Sequence, residues 1–184
     1  MYKFAPVVNF EVGKIFFPAA KFLHKNLGLT PNQISLMSFG VGVTGAGLVW
    51  FGMVELALTF LAVSLVLDGL DGLVARAFGL ESRRGEWLEV VLDRFSEGLW
   101  FGALVLGGFA RWRWAALAMV AILLMTVLRD KTGFDPGFKR IVLFLGYGIG
   151  FDWVLKIIFG VNLLGFVANL VILDLDLQRR LDAK

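Results

Sequence analysis

Long apolar stretches along this chain are separated by short clusters of charge. Six apolar segments stand out, at roughly 32–53, 55–76, 86–109, 113–129, 140–158 and 161–177, each close to the length a helix needs to cross hydrocarbon. The pattern predicts an all-α, polytopic membrane protein with six transmembrane helices over residues 30–184, in a single domain covering 1–184. The first span opens on Thr30-Pro31-Asn32-Gln33. Thr30 can cap the helix, Pro31 suits its first turn, and Gln33 can complete a capping box. Upstream, residues 10–25 carry too much charge to span. Lys14, Lys21 and Lys25 fall on one helical face, and Val12, Phe16, Ala19 and Leu23 on the opposite one. That pattern predicts an N-terminal amphipathic surface helix within a juxtamembrane region, 1–29. It does not fit a secretory signal peptide, because the apolar run is broken and no small-residue cleavage site follows.

Composition narrows the class. Of 184 residues, 58% are hydrophobic and a further 22 are Gly, with a mean hydropathy of +0.78. One soluble core of this size could not hide that much apolar surface. The absence of Cys excludes a disulfide scaffold, a zinc–thiolate site and thiol catalysis. His24, the single His, leaves no Ser-His-Asp constellation and is read as an interfacial side chain. The net charge of +3 does not point to nucleic acid; the positions of the charges matter more. With a cytoplasmic N-terminus, the inner side collects most of the basic residues, from Lys3, Lys14, Lys21 and Lys25 through Arg83 and Arg84 to Arg179 and Arg180. The outer side receives only Arg111, Arg113 and Lys156. This asymmetry predicts a multi-pass inner-membrane protein with both termini cytoplasmic. Trp112 and Trp114 read as an outer interfacial belt. Gly40, Gly42, Gly45 and Gly47 in the first span, and Gly146, Gly148 and Gly150 in the fifth, read as close helix packing.

The carboxylates between Asp68 and Asp93 are out of place in an apolar bundle. Asp68 and Asp71 lie three apart near the inner end of the second span, and Glu89 and Asp93 four apart near the inner start of the third. Each pair therefore occupies one face of its helix. A short basic loop through Arg83 and Arg84 joins the spans, which predicts that the two pairs face each other at similar depth. A membrane carboxylate costs about 2.5–3.5 kcal/mol on insertion scales. Two like charges about 5 Å apart repel by roughly 3 kcal/mol at an effective dielectric of 20. Protonation, nearby Arg side chains or bound cations can each relieve this. Clustered carboxylate oxygens suit hard ions such as Mg²⁺, Mn²⁺ or Ca²⁺, and a pair of ions about 4 Å apart serves phosphoryl chemistry. Gly69, Gly72, Ala75 and Gly85 remove bulk where a phosphate-bearing ligand would enter.

The stretch Asp68-x-x-Asp71-Gly72-x-x-Ala75-Arg76, then eight residues, then Gly85-x-x-x-Glu89-x-x-x-Asp93, resembles the signature of the CDP-alcohol phosphotransferases at seven of its eight specified positions. Thr30-Pro31-Asn32 also resembles that family's usual opening of the first span. The resemblance implies a metal-dependent enzyme that moves a substituted phosphate from a CDP-linked donor (CDP-diacylglycerol or CDP-archaeol) to an alcohol and releases CMP. It implies that Asp68, Asp71, Glu89 and Asp93 hold two Mg²⁺ or Mn²⁺ ions, and that Asp93 is the general base. It places Asn32, Gly72, Ala75, Arg76 and Gly85 beside the nucleotide. It also suggests a homodimer. The departure is Glu89, where the family has Asp.

The run Asp93-Arg94-Phe95-Ser96-Glu97-Gly98 and the preceding Glu81-Ser82-Arg83-Arg84-Gly85 resemble the inositol-phosphate-using branch. Arg94, Arg129, Lys131, Lys139 and Arg140 are the candidate partners of a phosphorylated acceptor. Glycerol phosphate, serine, or CDP-inositol with inositol phosphate are the alternatives, as is a non-catalytic member that binds CDP-lipid. An ion channel is disfavoured because the acidic pairs sit at helix ends rather than at mid-membrane.

Overall fold

A computed structural model describes residues 15–137 and 139–182, apart from the side chains of residues 130 and 180. It is all helical. The chain divides into two compact halves, one running to Ala103 and the other from Leu104.

The first half holds a helical stretch over 15–26, whose last turn Phe22–Asn26 widens to π geometry, and then α1 (Pro31–Trp50), α2 (Val54–Phe78) and α3 (Arg83–Leu106), the last of which crosses into the second half. The start of α1 is built as its sequence predicts. The Thr30 hydroxyl accepts the Gln33 N–H, the Gln33 side chain accepts the Thr30 N–H at 2.9 Å, and Pro31 occupies the first turn. Of the surface helix, Val12 and Lys14 lie outside the described residues. The part that is described keeps Lys21 and Lys25 exposed and turns Ala20 and Leu23 onto Ile34, Leu70 and Val74. His24 is structural: its Nδ1 lies 3.0 Å from the Leu29 carbonyl and its ring lies 4.4 Å from that of Phe78.

Close contacts set the register of the three helices. α2 returns antiparallel to α1 after a turn at Gly52, whose φ of +76° suits glycine. The Ser38 hydroxyl donates to the Ser64 carbonyl at 2.8 Å, and near the other end of α1 a Cβ at Gly45 would meet Phe60 at 3.0 Å. α3 runs parallel to α1. A Cβ at Gly85 would meet Asn32 Oδ1 at 3.1 Å, and one at Gly45 would meet Trp100 at 2.8 Å. Close helix packing thus holds for Gly42 and Gly45, whereas Gly40 and Gly47 face open space.

The second half contains α4 (Trp112–Thr132), a 3₁₀ turn Ile141–Leu145, a single turn α5 (Gly146–Ile149), and α6 (Phe151–Asp182). α4 and α6 run parallel. Arg111 bonds Asp152 through its side chain at 2.5 Å and its N–H at 2.7 Å, and one helix length on Thr132 donates to Asn169. Residues 133–150 lead the chain back alongside α6, with Phe134 bonded to Asn169 and Gly146 packed on Phe151.

This arrangement corrects the boundaries of the last two predicted spans. The expected fifth and sixth spans, 140–158 and 161–177, are not two helices: residues 151–182 form one helix, preceded by short turns. The break falls at Gly150, which takes φ +85°, and not near Gly160, which lies inside the helix. Among the described residues, four helices, α1, α2, α4 and α6, are long and apolar enough to cross a membrane. α3 is 24 residues long but carries its charges in its first four turns.

Asn169 holds the non-helical stretch in place. It is 0% exposed, and its amide donates to the carbonyls of Gly165 at 2.9 Å and Phe134 at 3.2 Å while accepting from Thr132. Asn169→Leu strands the Phe134 carbonyl and is expected to cost roughly 1–3 kcal/mol, read as a lowered Tm of the detergent-purified protein. An unchanged Tm would refute this role.

Candidate active site

Gly42 fixes the depth of the acidic residues. A Cβ there would lie 3.0 Å from Ser64 Oγ on α2 and 3.4 Å from Ser96 Oγ on α3, so these serines share a level. α2 and α3 are antiparallel. Moving about one turn from that level reaches Asp68 on one helix and Asp93 on the other, and about two turns reaches Asp71 and Glu89. The similar depth of the two pairs, expected from the hairpin, follows from this register.

Asp71 is the most enclosed of the four, at 3% exposed. Its Oδ2 accepts the Ser35 hydroxyl at 2.5 Å and its Oδ1 accepts the Gly72 N–H at 2.5 Å. Asp68, from the same helix, and Glu89, from α3, both add negative potential at Asp71. Asp68 and Asp93 are half-buried and Glu89 is exposed. The carboxylates converge in field without closing on a point: among the described residues, no three acidic or His side chains stand in coordinating geometry. Mutual repulsion accounts for that spread. The donor set, carboxylate oxygens contributed by two helices, has the chemistry a hard divalent cation takes.

The small residues bear on the same end of the helices. The Arg76 guanidinium folds back over Gly72, where a Cβ would meet Nη1 at 3.1 Å. Gly85 brings the start of α3 against Asn32, and its N–H is capped by Ser82 at 3.1 Å. Ala75 is half-buried one turn beyond Asp71. Asn32, Gly72, Ala75, Arg76 and Gly85 thus share one end of the three-helix half with the acidic pairs.

The candidate acceptor residues divide between the halves. Arg94, on α3, bonds Glu97 at 2.9 Å and lies 3.8 Å from Asp93. Glu97 is 1% exposed. In the second half, Asp135 gathers Lys139 at 3.1 Å and Arg129 at 3.4 Å; Lys139 and Arg140 are buried, and Lys131 is exposed. Burial works against ionising Asp135, which lies beyond the end of the α4 span. Lys139, the Gly137 N–H and Arg129 outweigh that and hold its carboxyl below the usual range. The stability this confers is present above the unfolded carboxyl pKa of about 3.9 and is lost as pH falls through the folded value. Sequence reasoning did not single out Ser35, Asp135 or Asn169, and it read Glu97 only as part of a motif.

The family model for CDP-alcohol phosphatidyltransferase matches residues 28–168. The chain belongs to this family. Among relatives, this CDP-alcohol phosphatidyltransferase chain is 33% identical over 106 residues to the archaetidylinositol phosphate synthase of Pyrococcus horikoshii, a match covering 58% of this chain. It is 36% identical over 105 residues to the bifunctional IPC transferase and DIPP synthase of Rubrobacter xylanophilus, covering 56% of this chain. The matches span only 56% of the first relative's length and 24% of the second's. The fold is that of the Mycobacterium tuberculosis phosphatidylinositol phosphate synthase in complex with manganese and citrate, with a TM-score of 0.68 and 21% identity over 84% of this chain and 87% of that one.

Proposed function

We propose that this protein transfers a phosphatidyl-type group from a CDP-linked lipid, CDP-diacylglycerol or CDP-archaeol, to inositol phosphate, releasing CMP. The observation that carries the reading is that Asp68 and Glu89, from two helices, both add negative potential at Asp71, with Asp68 level with Asp93 and Asp71 level with Glu89. The relatives' names supply the acceptor class, and the tuberculosis synthase has also been solved with CDP-DAG bound.

On this reading, Asp68, Asp71, Glu89 and Asp93 hold two divalent ions, Mg²⁺ or Mn²⁺. Such ions neutralise the donor's pyrophosphate and stabilise CMP as it leaves. Asn32, Gly72, Ala75, Arg76 and Gly85 border the nucleotide; Gly72 leaves room for the Arg76 guanidinium and Gly85 for the Asn32 side chain. Asp93 accepts the proton of the acceptor hydroxyl. The acceptor oxygen then bonds to the lipid-bearing phosphorus, the bond from that phosphorus to the bridging oxygen breaks, and CMP departs with that oxygen. Arg94, Arg129, Lys131, Lys139 and Arg140 are the basic groups for the acceptor's phosphate.

The basic residues at the acidic end of the helices support a site facing the cytoplasm, with both termini on that side. Gly40 and Gly47, open on α1, offer a close-packing face for a homodimer.

The test is CMP release by purified protein given CDP-lipid, Mg²⁺ or Mn²⁺, and a panel of inositol phosphate, glycerol phosphate and serine. Inositol phosphate is expected to support turnover. No CMP with any acceptor, despite CDP-lipid binding, would overturn the enzymatic reading in favour of a non-catalytic binder.

A further inference from the structure

Ser35 lies on α1, a helix that carries no carboxylate of its own. Its Oγ is 3.1 Å from the Pro31 carbonyl and 2.5 Å from Asp71 Oδ2. A hydroxyl has one proton to give. A carboxylate is a stronger acceptor than a neutral carbonyl, so the proton goes to Asp71. With the Gly72 N–H on Oδ1, both oxygens of Asp71 are pinned, one from its own helix and one from the neighbouring one. Turning the carboxylate would break both bonds, and at 3% exposure water has little access to replace either. Each oxygen keeps a further lone pair.

The turn that carries Ser35 is itself rigid. Thr30 and Gln33 cap it reciprocally, Pro31 fixes its first φ, and Asn32 is packed against Gly85. We propose that Ser35 is a positioning residue: its hydroxyl fixes the plane of the Asp71 carboxylate and directs the remaining lone pairs toward a divalent cation shared with the neighbouring acidic side chains. This rests on the metal-holding role given to Asp71 above. Partners of this kind typically set metal affinity by 10–100-fold. A purely structural serine would only bond back to the carbonyl four residues earlier and would leave metal affinity alone.

The experiment is Mn²⁺ binding to the purified full-length protein without nucleotide or lipid donor, followed by the loss of the free-Mn²⁺ electron paramagnetic resonance signal. Ser35→Ala is expected to weaken Mn²⁺ binding about 10–100-fold in protein that still unfolds cooperatively, with a metal-free Tm lowered by the lost hydrogen bond to the buried carboxylate. Ser35→Thr keeps the hydroxyl and is expected to restore affinity. Wild-type binding together with undiminished binding by Ser35→Ala would overturn the role of Ser35 alone, as would failure of Ser35→Thr to bind better than Ser35→Ala. A wild-type protein that binds no Mn²⁺ would overturn the metal assignment, and Ser35's role with it.

Discussion

Asp93→Asn lowers kcat for CMP release by roughly 10²–10⁴-fold, the range that general-base catalysis contributes, and leaves CDP-lipid binding within a few-fold of the parent. Asn matches Asp in shape, so the α3 backbone and the approach of Glu89 one turn earlier are kept. What disappears is the capacity to accept a proton. On the proposed reading, that task belongs to Asp93. It is half-buried, level with Asp68 across the hairpin, and 3.8 Å from Arg94. Arg94 is held in turn by Glu97 at 2.9 Å. The measurement pairs a CMP assay with a donor-binding isotherm on the same preparation. Full turnover by Asp93→Asn would remove the base assignment; lost turnover with lost donor binding would instead make Asp93 chiefly a ligand.

The parts of this molecule that were legible in the sequence are those set by short-range chemistry. The Thr30–Gln33 capping box needs only four consecutive residues, and it forms as read. The spacing of Asp68 to Asp71 and of Glu89 to Asp93 fixes each pair to one helix face, and the short connection at 79–82 brings the helices back antiparallel. Other features depend on partners distant in sequence. Ser35 reads as an ordinary serine in an apolar helix until Asp71, 36 residues away, comes to meet it. Gly42 and Gly45 carry helix contacts while Gly40 and Gly47 do not, and nothing local distinguishes them. The largest departure lies after residue 140. Glycine permits a break but does not require one: Gly150 turns the chain at φ +85°, and Gly160 stays helical. The run from Ile141 to Phe151 has no charged residue to mark its end, so apolar length alone carried the predicted fifth span past the break at Gly150. Asn169, buried in α6, holds the Phe134 carbonyl where the chain leaves α4.

Removing divalent ions is expected to stop CMP release completely, and Mn²⁺ or Mg²⁺ to restore it. The argument is electrostatic. Asp71 is enclosed beside the charges of Asp68 and Glu89, each of which adds repulsion there. A donor pyrophosphate brought to the same place adds repulsion that the carboxylates alone cannot relieve. A cation that binds the folded protein also stabilises it, by about 2.7 kcal/mol at a hundred times its Kd. Chelation should therefore lower Tm as well as activity, a readout that does not depend on substrate. Position 89 refines the prediction. Glu is one methylene longer than the family's Asp and is exposed on α3, so it can reach an ion from farther out. Glu89→Asp is expected to retain or raise activity, and Glu89→Ala to lower both activity and the Mn²⁺-dependent gain in Tm. If Glu89→Ala turns over normally while Glu89→Asp does not, Glu89 is not a ligand. If the enzyme is indifferent to chelators in both rate and Tm, the carboxylates of α2 and α3 do not act through metal at all.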